Sequence, residues 1–105
     1  MVRGEIFRMR SLREARGREQ RGARYAVVVR SDDFSGLSTV LVSPTSTSAA
    51  PSSFRPVIEM DGIRTRVLTE QTSAVSIERL GASAGRLDAA ELRAVDEALA
   101  LLLGL

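Results

Sequence analysis

Arg16-Gly17-Arg18-Glu19-Gln20-Arg21-Gly22-Ala23-Arg24-Tyr25-Ala26-Val27-Val28-Val29-Arg30-Ser31-Asp32 joins two unlike halves. The first is a stretch of Arg, Glu and Gln with paired glycines, too polar to bury. The second, Tyr25 to Val29, is a continuous apolar and β-branched run, which predicts a strand covered on both faces. Arg24 stands at the seam, where a rigid strand holds a guanidinium that still meets solvent. Binding and catalytic groups are commonly placed at such strand mouths.

Working outward, Glu5–Met9 reads as a short first strand and residues 10–23 as a long loop with no sustained period. Loops of that length in a small domain usually carry function. Tyr25–Arg30 is the second strand, and Asp32-Asp33-Phe34-Ser35-Gly36 has turn chemistry. Thr39–Ser43 is a third, central strand, followed by an exposed Ser/Thr/Pro/Ala loop from Pro44 to Ser53. Pro56–Met60 and Arg64–Thr69 form a hairpin about Asp61-Gly62. Ser76–Leu80 is a short helical turn, leading into a glycine-punctuated segment.

Asp88-Ala89-Ala90-Glu91 opens a C-terminal helix with a capping-box pattern. Leu92, Val95, Leu99 and Leu102 form one apolar stripe along it, core or dimer surface, and Gly104 stops it. The sum is an α+β, mainly β fold: a small barrel or curled sheet of five or six short strands closed by one helix.

The 105 residues fit one domain, 1–105, whose modest core a partner subunit would reinforce. A hydrophobic content of 44% with 27% charged residues is that of a folded chain. No apolar run is long enough to span a membrane, and residues 1–30 lack a signal-peptide core, so the expected location is the cytoplasm. The absence of cysteine removes disulfides and thiolate metal sites. The absence of histidine excludes imidazole acid–base chemistry and His-ligated zinc.

All 15 basic residues are Arg. This reflects either genomic codon bias or a use for planar forks that grip phosphate and stack on bases. The charge is uneven: residues 1–30 sum to +6 (nine Arg against three Glu), and residues 87–105 to −3 (one Arg against four carboxylates). Anion binding is therefore expected at the front.

Several of these pieces, taken in order, resemble the MazF/PemK-type toxins of toxin–antitoxin systems. Arg3-Gly4-Glu5-Ile6-Phe7 is similar to that family's opening, and Glu19-Gln20-Arg21-Gly22-Ala23-Arg24 to its Glu-Gln-x-Gly-x-Arg loop. Ala26–Asp32 resembles the strand that follows, and Thr39–Ser46 a second core strand ending in Pro-x-Thr. Val67-Leu68-Thr69-Glu70-Gln71 looks like a later strand, and Leu87–Leu105 like the closing helix.

The resemblance implies an SH3-like barrel of five to seven strands. It also implies a metal-independent, cofactor-free endoribonuclease that cuts single-stranded RNA at short sequences, leaving 2′,3′-cyclic phosphate ends. It aligns Arg24 with the family's catalytic arginine, Ser46 with its threonine and Glu19 with its loop glutamate. Arg24 is expected to clamp the scissile phosphate, Ser46 to donate a hydrogen bond to it, and Glu19 to accept the 2′ proton.

Gln20, Arg21, Thr45, Thr47 and Gln71 would then contact RNA, with Tyr25, Phe34 and Phe54 as the late aromatics able to stack. The implied partners are a second copy of the chain and an antitoxin whose acidic tail fills the RNA groove, with no membrane.

The sequence departs from the family at four places: Tyr25 follows the arginine where Pro is usual, Ser46 replaces threonine, Thr72-Ser73-Ala74 replaces the run after Glu70-Gln71, and the first loop carries Arg10, Arg13, Arg16 and Arg18 where Asp-Pro and Gly-Ser are common. Other readings are a gyrase-poisoning toxin of related fold, which needs neither Arg24 nor the Ser46 hydroxyl, and a non-enzymatic SH3-like binding module. Such modules display aromatic grooves, for which 4% aromatic residues is a poor endowment.

Overall fold

The computed structural model describes residues 1–10 and 24–105. Among the described residues there are seven strands: β1 (Glu5–Met9), β2 (Tyr25–Val28), β3 (Thr39–Ser46), β4 (Val57–Met60), β5 (Ile63–Val67), β6 (Ser73–Ser76) and β7 (Leu80–Arg86). The α-helix α1 (Ala89–Leu103) follows β7. The strands run in the order β4-β5-β3-β2-β1-β7, with β6 also paired to β3. Every pairing is antiparallel, and the sheet curls as a half-barrel.

The valine run behaves as its composition demands. Val27 and Val29 pack with Ile6, Ile58, Val67, Leu87 and Val95 on the side of α1. Ala26 and Val28 face the opposite way, against Val40, Val42 and Leu80. Alternate residues therefore feed two cores, which is why the run has no polar position. The strand ends at Val28, two residues earlier than expected, although the Val29 amide still donates to the Leu41 carbonyl at 3.0 Å, and Arg30 beyond it is buried. Its guanidinium donates to the Met1 carbonyl at 3.0 Å and to Asp32 at 3.2 Å.

β3 runs three residues further than the sequence pattern indicates, so Pro44, Thr45 and Ser46 belong to the strand and not to the following loop. Proline is tolerated because of where it falls. β6 pairs with Thr39–Val42 and β5 with Thr45 and Ser46, so Pro44 lies in the gap between two partners. A ladder donor is not needed there.

Neither β6 nor β7 is expected from composition. Ser73-Ala74-Val75-Ser76 and Leu80-Gly81-Ala82-Ser83-Ala84-Gly85-Arg86 are poor in branched and aromatic residues. Gly81 of β7 marks a close approach: a Cβ there would sit 3.0 Å from the Arg8 carbonyl oxygen. The β1–β7 register also shifts twice in this region.

The hairpin turn is as expected, with both central residues left-handed: Asp61 at φ 51° and Gly62 at φ 78°. Such a turn matches strand twist and accepts Asp or Asn followed by Gly. The short turn after β6 also forms, as one turn of 3₁₀-helix over Ile77–Arg79.

The capping box forms in full, with Asp88 accepting from the Glu91 amide at 2.7 Å and Glu91 from the Asp88 amide at 3.0 Å. Glu91 does more than cap. Its other carboxylate oxygen accepts the Glu59 amide at 2.8 Å, tying the helix to the edge of β4. The apolar stripe is buried at Val95 and partly buried at Leu92 and Leu99, but it runs out into solvent at Leu102.

Val95 is fully buried in the cluster it shares with Ile6, Val27, Ile58 and Val67. Val95→Ala removes two methyl groups and leaves a cavity, an expected loss of about 2 kcal/mol. Urea unfolding should show a lower midpoint with unchanged slope.

Candidate active site

The antiparallel register of β2 and β3 sets Ala26 opposite Pro44, Val27 opposite Ser43 and Val28 opposite Val42. Extending that register toward the open end sets Tyr25 opposite Thr45 and Arg24 opposite Ser46. The Thr45 hydroxyl donates to the Tyr25 carbonyl at 3.2 Å, so the two chains remain together to the rim.

Arg24, Thr45, Ser46, Thr47 and Gln71 line one cleft of about 480 Å³. This is within the size range of small-ligand sites, roughly 300–1,000 Å³. Arg24 and Asp61 are the charged side chains among the described residues lining it. Glu19, Gln20 and Arg21 lie outside the described residues.

Ser46 is held by its neighbour. Its Oγ accepts the Ser48 amide at 3.2 Å, an ST-type turn within the loop. A hydroxyl engaged in this way retains its own proton to donate.

Gln71 is placed by a chain of hydroxyls beneath the cleft. It ends the 3₁₀ turn Thr69–Gln71, whose Thr69 carbonyl accepts the Thr72 hydroxyl at 2.7 Å. Because Thr72 has one proton to give, the Ser43 hydroxyl is the donor in their 2.6 Å contact. The Thr69 hydroxyl donates to the Phe54 carbonyl. The residues after Glu70-Gln71 are therefore structural here: Thr72 locks the turn and Ser73-Ala74 enter β6.

Glu70 completes this support. It receives Arg55 Nη2 at 2.6 Å and Nε at 2.9 Å, while Arg55 Nη1 donates to the Ala50 carbonyl at 3.1 Å. The Arg55 hydrogen bonds hold the Glu70 carboxyl below its ordinary range, against a smaller opposing effect of burial.

Not every arginine of the front half faces a ligand. Arg3 binds Asp96 of α1 at 2.6 Å and the Val29 carbonyl at 2.9 Å, and Arg30 is buried against Asp32. The basic front is thus partly neutralised by the acidic helix. Phe34 is exposed on its own turn away from the cleft lining, and Phe54 lies under Arg55, 5.7 Å from its guanidinium. Of the aromatics singled out, Tyr25 lines the cleft.

Sequence reasoning did not single out Asp61, Met60, Ile63, Thr65 or Leu68 as cleft residues. Asp61-Gly62 reads as a turn, and only the curl of β4 and β5 around the rim brings that turn beside Ser46.

Residues 2–103 match the family of PemK-like, MazF-like toxins of type II toxin–antitoxin systems. The chain belongs to that family. A candidate toxin of Mycobacterium tuberculosis strain H37Rv, Rv3098A, is 42% identical over 106 residues, covering 100% of this chain and 99% of the relative. Among solved structures, the chain is similar to a mycobacterial endoribonuclease in complex with its cognate antitoxin. The TM-score is 0.79 at 20% identity, covering 100% of this chain and 96% of that one. It is also similar to the M. tuberculosis toxin MazF-mt6, with a TM-score of 0.78 at 18% identity over 96% of this chain and 97% of that one. Among the described residues, no helix of this family member is long and apolar enough to cross a membrane.

The depressed Glu70 carboxyl has a signed consequence. Its pairing stabilises the fold above the ordinary carboxylate pKa and is lost as pH falls through the lower folded value. Arg55→Gln should therefore lower the Tm at neutral pH and flatten its decline between about pH 5 and pH 3, read by thermal melts across that range.

Proposed function

We propose that this toxin is a metal-independent endoribonuclease that cuts single-stranded RNA at short sequences, and that residues 1–105 form its single catalytic domain. The cross-strand convergence of Arg24 and Ser46 on one cleft carries the reading. In the proposed reaction the RNA's own 2′-oxygen attacks the adjacent phosphorus. The P–O5′ bond breaks, leaving a 2′,3′-cyclic phosphate and a 5′-hydroxyl.

Arg24 holds the phosphoryl oxygens as negative charge builds on them, since a guanidinium remains protonated throughout. Ser46 donates a hydrogen bond from its hydroxyl to the same phosphate, and the departing 5′-oxygen takes a proton from water. Glu19, on the segment that precedes Arg24, accepts the 2′ proton. Gln20, Arg21, Thr45, Thr47 and Gln71 contact the bases and backbone that surround the scissile step. The chain acts as a homodimer, and a cognate antitoxin with an acidic extended tail competes for the same groove. Such a tail and an RNA strand are both extended anions, so one basic groove suits each.

Incubation with a long, weakly structured RNA in EDTA should give discrete fragments bearing cyclic-phosphate ends. Arg24→Ala should cut at least tenfold more slowly, the effect of removing a transition-state contact of about 1.4 kcal/mol or more. Intact RNA at micromolar wild-type protein would refute the proposal.

A further inference from the structure

The cleft contains one feature that phosphate binding does not require. Asp61 stands at its lip, on the β4–β5 turn, and its carboxylate has no hydrogen-bond or ion-pair partner among the described residues. The turn alone does not call for a charge, because Asn or Gly at the first left-handed position serves equally. In a cleft that receives a polyanion, an unpaired carboxylate repels the backbone unless it meets a donor. Beside it Ile63, 58% exposed, borders the same cleft, together with the half-buried Met60. An exposed branched aliphatic wall with a single carboxylate at its edge matches the face and the donor edge of a nucleobase.

We propose that Asp61 is a specificity-determining residue that reads guanine in the cleaved sequence, with the base lying against Ile63 and Met60. The inference rests on the ribonuclease reading. In a single strand the Watson–Crick edge is open to recognition. Guanine presents two adjacent donors on that edge, the ring N1–H and the exocyclic amino group, which match the two oxygens of a carboxylate. Uracil sets carbonyls on both sides of its one N–H and is repelled. Cytosine and adenine offer one amino donor beside an acceptor. Arg24 and Asp61 thus divide the cleft by charge, the cation taking the phosphate and the anion the base edge. Backbone repulsion is screened over about 8 Å at physiological salt, whereas the paired hydrogen bonds act at contact and only on the matching base.

The test compares wild type and Asp61→Asn on a randomised RNA pool, with cut sites identified by sequencing the fragment ends. Asparagine retains the left-handed turn and the shape while removing the charge and one acceptor, and equal Tm values would verify the fold. The expected wild-type words share a guanine at one fixed position. The variant should relax that preference by about tenfold or more while still cutting the pool. Cutting by both proteins at the same words, or wild-type words with no fixed guanine, would overturn the role of Asp61 and leave the nuclease standing. No cutting by wild type would overturn both readings.

Discussion

β2 is buried on both faces, and that constraint fixes its register with β3. Val27 and Val28 have no exposed surface, and they point into different cores. A slip of one residue would send every side chain of β2 to the opposite face and replace the small Ala26 by valine in a filled space. The core therefore selects one pairing, and the same pairing sets Arg24 opposite Ser46 at the rim. Placement of the cleft's cation is a by-product of apolar packing several residues away, which costs the site no dedicated scaffold.

How far the chain can be read without coordinates follows from which signals are local. The valine run, the Asp61-Gly62 turn and the Asp88/Glu91 capping box are local patterns with one strong physical cause each, and all three stand as read. β6 and β7 were not legible, because small residues and glycine form strands here only through their neighbours. Gly81 is required by the Arg8 carbonyl across the sheet, a contact absent from any local window. The extension of β3 through Pro44 has the same origin: a proline is allowed where one partner strand ends and the next begins. That Arg24, Ser46 and Gln71 share a cleft agrees with the family resemblance, whereas Asp61 and Ile63 enter that cleft only by curling of the sheet.

The linear charge map also changes meaning once the chain is folded. A basic N-terminal third and an acidic helix look like separate surfaces, yet Arg3 joins them through Asp96 and also binds the Val29 carbonyl. Arg30 draws the N-terminal backbone down in a similar way. These arginines fasten α1 and the chain start to the end of β2, so some of the apparent anion-binding charge is structural. Glu91 makes a third such link, from the helix start to the edge of β4. Pairing that edge amide with a carboxylate also removes a donor that another strand could recruit.

Serine at position 46 looks like a weakening when judged by residue type, since it lacks the methyl group that restricts a threonine rotamer. The local backbone supplies the missing restraint. With the Ser48 amide directed at its Oγ, the Ser46 side chain is held by a hydrogen bond instead of by a methyl group. The same hydrogen bond fixes the polarity of the group. An oxygen already accepting an N–H is a poorer proton acceptor and a better donor, so Ser46 suits a role of hydrogen bonding to a charged phosphate and not that of a base. In the proposed reaction this leaves the 2′ proton to a carboxylate.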